Sequence, residues 1–245
     1  MRCLIGIDDT DNLESRGTGF RARQLGARLA EAGMGMVRGI TRHQLFVHPS
    51  IPYTSHNSSA CLDVDVHDTH LAAAREFCRE YLATESAAGS DAGLCVAPFD
   101  EVSDEMVDFG RRAKEHVVTR EQAHELADRH GAHLEGVTGE RIGVIGALAA
   151  VGLRRGGHDG RFIWLEGVRE LQGSCTAGTL LARTGIDSVE SIDGRPVPAD
   201  AAVWVDPWPR PVLLHGRAVL LTEELGVGDE RSGWRILPKE IIRRY

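Results

Sequence analysis

Cys3-Leu4-Ile5-Gly6-Ile7-Asp8-Asp9-Thr10-Asp11 is the stretch on which the reading of this chain turns. Its first five residues are apolar or small and predict a short buried strand. Three carboxylates then stand within four positions at the strand's end, where they repel one another unless something positive binds. Hard oxygen donors with little imidazole or thiol nearby suit Mg²⁺ carrying nucleotide phosphates, and clustered ionisable groups gather at functional sites. The alternative for Asp8, Asp9 and Asp11 is a polar turn whose aspartates cap loop amides.

Just downstream, Ser15-Arg16-Gly17-Thr18-Gly19 leads into a helix over Phe20 to Ala32, with Leu25 and Leu29 four apart. Gly17 and Gly19 let backbone amides approach an anion, the helix start adds partial positive charge, Arg16 can clamp a phosphate and Thr18 offers a hydroxyl. A surface loop is the alternative. Met36 to Val47 reads as a second strand. Ser59 to Val66 alternates strictly and predicts a half-buried strand with Ser59, Cys61, Asp63 and Asp65 on its polar side. A helix from Asp68 to about Leu82 and a strand at Leu94 to Ala97 follow. This β-α-β-β-α-β order is that of a split, ferredoxin-like layer.

Ser103 and a Thr119-x-x-Gln122 capping box start two further helices. Glycines near 136 to 139 mark a boundary, dividing the chain into residues 1–138 and 139–245. The second part predicts a glycine-spaced helix at Gly143 to Val151, a strand at Phe162 to Val168, a helix at Ala177 to Arg183, and strands at Ala202 to Val205 and Val212 to Leu221. The fold class expected is therefore α+β: an N-terminal α/β domain, then a second ferredoxin-like α+β domain.

Composition narrows the function. In 245 residues, 28 Lys+Arg against 36 Asp+Glu leave a net charge of −8, which argues against a generically basic nucleic-acid coat. Apolar residues at 42% suit a globular chain. The longest weakly polar stretch, Ile142 to Leu153, is too short and too glycine-broken to span a membrane. The apolar opening runs into aspartates without a signal-peptide cleavage pattern, so a cytoplasmic location is expected. Lys114 and Lys239 are the only lysines and neither follows a glycine, which removes the Gly-Lys-Ser/Thr phosphate loop.

Gly143-Val144-Ile145-Gly146-Ala147-Leu148-Ala149-Ala150 either admits a phosphate or nucleobase at a helix start, as cofactor-binding glycines 143 and 146 would, or allows close packing on a sheet. The loop Ile51-Pro52-Tyr53-Thr54-Ser55-His56-Asn57 offers Tyr53, Thr54 and Asn57 as substrate contacts, with ordinary turn chemistry as the rival. His67-x-x-His70 and His130-x-x-His133 belong to no His-Glu-x-x-His helix and pair with no cysteines, so zinc is not expected. The five cysteines form no Cys-x-x-Cys, and Cys175 is read as structural.

Taken in order, Gly6-Ile7-Asp8-Asp9-Thr10-Asp11 with its Arg-Gly loop, Ile51-Pro52-Tyr53, the Gly143 to Ala150 motif and Pro211-Val212-Leu213-Leu214-His215-Gly216 resemble the archaeal tRNA-isoleucine agmatinylcytidine synthetases, TiaS. The resemblance implies an ATP-dependent, kinase-like catalytic domain followed by a ferredoxin-like domain. The family's OB-fold and zinc ribbon, which grip tRNA, are not matched. It implies Asp8, Asp9 and Asp11 as holders of Mg²⁺ and ATP phosphates, and places Thr18 near the family's phosphorylatable threonine. In that family ATP activates an anticodon cytosine, which then takes agmatine. Here the expected acceptor is a small molecule or an RNA delivered by a partner. A non-catalytic nucleotide-binding regulatory module is the competing expectation.

Overall fold

The apolar run at the start forms β1, Arg2–Asp8, at the centre of the first of two units seen in a computed structural model, which describes residues 1–51, 56–226 and 232–245. Tyr53 and Thr54 lie outside the described residues. Unit 1 comprises Met1–Gly156 and unit 2 Gly157–Tyr245.

In unit 1 the elements run β1, α1 (Thr18–Glu31), β2 (Met36–Gln44), β3 (Ser58–Asp65), α2 (Leu71–Glu85, entered through a 3-10 turn at Asp68–His70) and β4 (Gly93–Pro98). They continue with α3 (Asp104–Glu115), α4 (Arg120–His130), β5 (His133–Gly136) and α5 (Val144–Gly156). The sheet order is β5-β4-β1-β3-β2, with antiparallel neighbours throughout. Both sequence-read caps form: Ser103 Oγ accepts from the Met106 amide, and Thr119 and Gln122 make the reciprocal box.

Two helical layers cover this sheet. Gly26 of α1 sits against Ile40 and Leu62, while Cys61, one residue along β3, belongs to the core formed with α5 and α3. Adjacent strand residues point to opposite faces, so α1 and α5 lie on opposite sides. The half-buried reading of β3 is corrected here. Ser59, Cys61 and Asp63 are all buried, because α5 covers the face that alternation alone assigned to solvent. Asp63 is accommodated by pairing, with Arg154 of α5 at 2.7 Å and Arg2 of β1 at 2.9 and 2.7 Å. Burial pushes its carboxyl up, but the hydrogen bonds and charges of Arg2 and Arg154 outweigh that and hold it below the ordinary range.

The boundary also differs from that expected near residue 138. Residues 139–156 belong to unit 1, since α5 packs on β1, β3, β4 and α3 and supplies the middle of their core.

Unit 2 is strand-rich: β6 (Arg161–Trp164), β7 (Gly173–Thr176), α6 (Ala177–Arg183), β8 (Ser188–Ser191), β9 (Ala202–Val205), β10 (Val212–Leu214), β11 (Arg217–Glu224), β12 (Trp234–Ile236) and α7 (Lys239–Ile242). It mixes strands and helices as expected, but its element order is not the β-α-β-β-α-β order of a ferredoxin-like layer. The strand read from Phe162 stops at Trp164, ahead of Gly167 at φ 68°. The strand read over Val212 to Leu221 is a hairpin, since His215 and Gly216 both take positive φ (51° and 73°), as a two-residue primed turn requires. No described helix is long and apolar enough to cross a membrane.

Candidate active site

The end of β1 opens into a cleft of about 680 Å³, solvent at its mouth included, within unit 1. Asp8, Asp9, Asp11, Thr18, Asn57, Gly143 and Gly146 all line it, so seven residues singled out in the sequence meet in one place. They come from β1 and its loop, the start of α1, the start of β3 and the approach to α5.

Each carboxylate has its own setting. Asp8 sits against the first turn of α5, where a β-carbon on Gly146 would collide with its Oδ2. The glycine is there because the helix must pass over the carboxyl. Burial, followed by the charge of Asp9, pushes the Asp8 carboxyl up to about 8. Asp9 is held at φ 51°, a left-handed conformation uncommon outside glycine, of the kind that marks functional sites. Burial and then the charges of Asp91 and Asp11 push its carboxyl up to about 6. No cation is among the causes for either group.

Asp11 faces α1 instead. Its Oδ1 accepts from the Thr18 amide at 3.1 Å and from the Thr18 hydroxyl at 2.8 Å, serving as the helix cap that Gly17, the residue at the cap position, has no side chain to provide. Thr18 Oγ1 also lies 3.2 Å from the Thr10 hydroxyl. The loop between is closed by Asn12, whose side-chain oxygen accepts from the Glu14 and Ser15 amides.

Three residues of the predicted phosphate cradle lie elsewhere. Arg16 is exposed with its guanidinium 4.5 Å from the Phe20 ring centre, Gly17 is exposed, and Gly19 belongs to the first turn of α1. None lines the cleft. Asn57 does, but its side-chain amide donates to the Phe46 carbonyl at 2.6 Å and so fixes the wall. The remaining walls come from Leu45, Ile51, His56, Ser58, Ala113, His116, Val118, Ile142 and Ile145, most of which sequence reasoning missed. His116 and Ala113 arrive because the Phe46 amide bonds the Ala113 carbonyl at 3.0 Å, a tertiary contact without a local signature.

Among the described residues no group of three or more His, Cys, Asp or Glu side chains is arranged to hold a metal ion. Three converging aspartates are therefore not what the geometry offers. Asp8 and Asp9 do fit a Mg²⁺ that is held by one or two carboxylates and completes its shell with phosphate oxygens and water: they are oxygen donors, crowded, and among the described residues no cation compensates them.

No family model matches the chain. Over 153 residues it is 30% identical to an uncharacterised protein of Methanocaldococcus jannaschii, a match covering 62% of this chain and 50% of that protein. Among solved structures it is similar to TiaS in complex with an isoleucine tRNA and ATP, with TM-score 0.55 and 26% identity over 62% of this chain and 36% of the other. Apo TiaS, described as a tRNA agmatidine synthetase, matches with TM-score 0.53 at 24% identity over 62% and 35%, a likeness of fold alone. The chain thus spans half the length of the curated relative and about a third of the solved TiaS chains. Over that part its mixed α+β fold is TiaS-like.

Proposed function

We propose that this chain is a TiaS-like, ATP- and Mg²⁺-dependent enzyme that activates an acceptor by phosphoryl or adenylyl transfer. The observation that carries the reading is the Asp8 and Asp9 pair, two carboxylates raised by burial and by the charges of neighbouring aspartates in a cleft whose described lining holds no Arg or Lys. A site of that kind takes its missing positive charge from Mg²⁺ arriving with nucleotide. The likeness to a protein solved with tRNA and ATP supports the choice of nucleotide. The sheet order β4-β1-β3-β2 with α1 and α2 supports a ferredoxin-like reading of unit 1, to which this reading assigns the catalysis.

In this reading the chain's own residues position rather than react. Asp8 and Asp9 would hold the ion, whose chemistry is to neutralise phosphate charge at the transferred group. Asp11 and Thr18 complete the catalytic set by fixing the start of α1 against the cleft. Gly143 and Gly146 bring the backbone of α5 close enough to border the phosphates. Arg16, Gly17 and Gly19 lie outside the cleft and take no part. The acceptor is a small molecule or an RNA presented by a partner, in the cytoplasm, and its activated form would be captured by an amine or another nucleophile.

The test is incubation of purified protein with Mg²⁺ and ATP, resolving ADP from AMP plus pyrophosphate and weighing the intact protein for added phosphate. Turnover should fall at least about a hundredfold in Asp9→Asn while the protein stays folded. Undiminished turnover in that variant would refute the assignment. A non-catalytic nucleotide-binding regulatory module is the second reading, favoured by the absence of Arg and Lys from the described lining of the cleft. Tight ATP binding without turnover would select it.

A further inference from the structure

Asp8, Gly93 and Gly136 form one row across three neighbouring strands, since Asp8 pairs with Gly93 and Gly93 with Gly136. The segment leading into α5 crosses this row in step. Arg141 rests on Gly136, where a β-carbon would collide with its Cβ and Cγ; Gly143 rests on Gly93; and Gly146 rests on the carboxyl of Asp8. Three glycine-dependent contacts therefore fix where the stem of Arg141 lies, about 10 Å along the row from Asp8 at the usual strand spacing. Its neighbours Ile142 and Gly143 line the cleft.

Arg141 is also held unusually. Its φ is 65°, although it is not glycine, and the turn that imposes this is pinned at several points. The Arg141 amide donates to the Thr138 carbonyl at 3.2 Å, the Thr138 hydroxyl donates to the Ser90 carbonyl at 2.8 Å, and the Glu140 amide donates to the Asp91 carboxylate. Arg141 is exposed, and among the described residues its guanidinium has neither a hydrogen-bond nor an ion-pair partner. A left-handed arginine costs stability, and no contact of its charged end among the described residues offsets it.

Building on the ATP reading above, we infer that Arg141 is the cation at the rim of the cleft that positions the nucleotide's phosphates. The chain itself provides what the cleft lining lacks, a planar donor able to reach two phosphate oxygens at once. Arg141 acts on binding and orientation and forms no bond to the transferred group.

Titration calorimetry with Mg²⁺-ATP and, separately, adenosine tests this on the full chain and on Arg141→Ala and Arg141→Gly. Both variants should bind ATP about tenfold or more weakly, the worth of one hydrogen bond to a charged group. Adenosine affinity should not change. Arg141→Gly should melt at or above the wild-type temperature, because glycine accepts the positive φ without strain. Unchanged ATP affinity in both variants overturns the inference. So does an equal loss for ATP and adenosine, or a lowered melting temperature in Arg141→Gly, either of which makes Arg141 a support of the turn. A wild-type chain that binds adenosine but not ATP overturns the ATP reading and with it the role of Arg141, whereas intact ATP binding in the variants sinks the arginine alone.

Discussion

Thr18 gives both its backbone amide and its hydroxyl to the same oxygen of Asp11, at 3.1 and 2.8 Å, and so ties the aspartate loop to the first residue of α1. Thr18→Ser keeps this arrangement. Thr18→Val preserves shape but loses the hydroxyl, which removes a donor to Asp11 and should cost about 1 kcal/mol. Thermal melts should show Thr18→Val about 2–4 °C below wild type and Thr18→Ser within a degree or so. ATP turnover should follow the same order, and a Val variant as active as wild type would remove Thr18 from the catalytic set.

Gly146 tolerates nothing larger. Its β-carbon would fall on Oδ2 of Asp8 and crowd its Cγ and Cβ as well, so the whole carboxyl must shift. Gly146→Ala should destabilise by about 1–3 kcal/mol, the usual cost of overpacking, and should also abolish ATP binding because Asp8 must turn away. Gly131→Ala is a useful contrast: nothing lies near its side, so its cost should come from its φ of 69° alone and nucleotide binding should survive.

Asp8 and Asp9 give unit 1 an unusual dependence on pH. A carboxyl raised to about 8 in the folded chain and near the ordinary value when unfolded binds more protons in the native state between those limits. Stability from this source is therefore full at low pH and falls as pH rises towards 8. Asp8→Asn removes the penalty. At pH 8 it should melt above wild type by at least about 2–4 °C, the shift that 1 kcal/mol produces in a chain of this size, with the gap closing towards pH 5. The same variant should be inactive. Added Mg²⁺ should raise the wild-type melt at pH 8 and leave Asp8→Asn much less affected.

Asp63 behaves in the opposite sense. Its carboxyl is held low by Arg2 and Arg154, so its contribution is present above the ordinary carboxylate range and lost as pH falls below it. Its side chain is 1% exposed and that of Arg154 6%. Asp63→Ala strands a buried guanidinium and should cost about 3–5 kcal/mol, read by denaturant unfolding. Asp63→Leu combined with Arg154→Met should recover much of the loss; failure to recover any would mean the pair specifies the packing of α5 on the sheet.

Much of unit 1 could be read from the chain because local chemistry marked it. An apolar run ending in aspartates fixed β1 and its loop, Ser103 and Thr119 marked helix starts, and the glycines at 143 and 146 stood where a helix passes close to something. The glycines' purpose was ambiguous, and they prove to be seated on a strand end and a carboxyl. What could not be read depended on distant partners. Alternation alone gives the polar side of β3 to solvent, because nothing within it shows that Arg154, 91 positions later, arrives to pair with Asp63. The boundary was drawn at a glycine cluster, although the helix beyond it completes the first core. His116 reaches the site through a contact that no spacing encodes, and Arg16, a phosphate clamp by its place in the sequence, lies over the Phe20 ring instead of lining the cleft.

Because α5 lies over β1, the first strand of unit 1 to leave the ribosome is roofed by the last helix of that unit. At roughly 5–20 residues per second, some 8–30 s of synthesis separate Asp8 from Gly156. During that interval the aspartates have no helix to rest against, and an incomplete chain has a nucleus for the sheet but no cleft. A chain that stops before α5 therefore carries the aspartates without the helix that closes the cleft beside them.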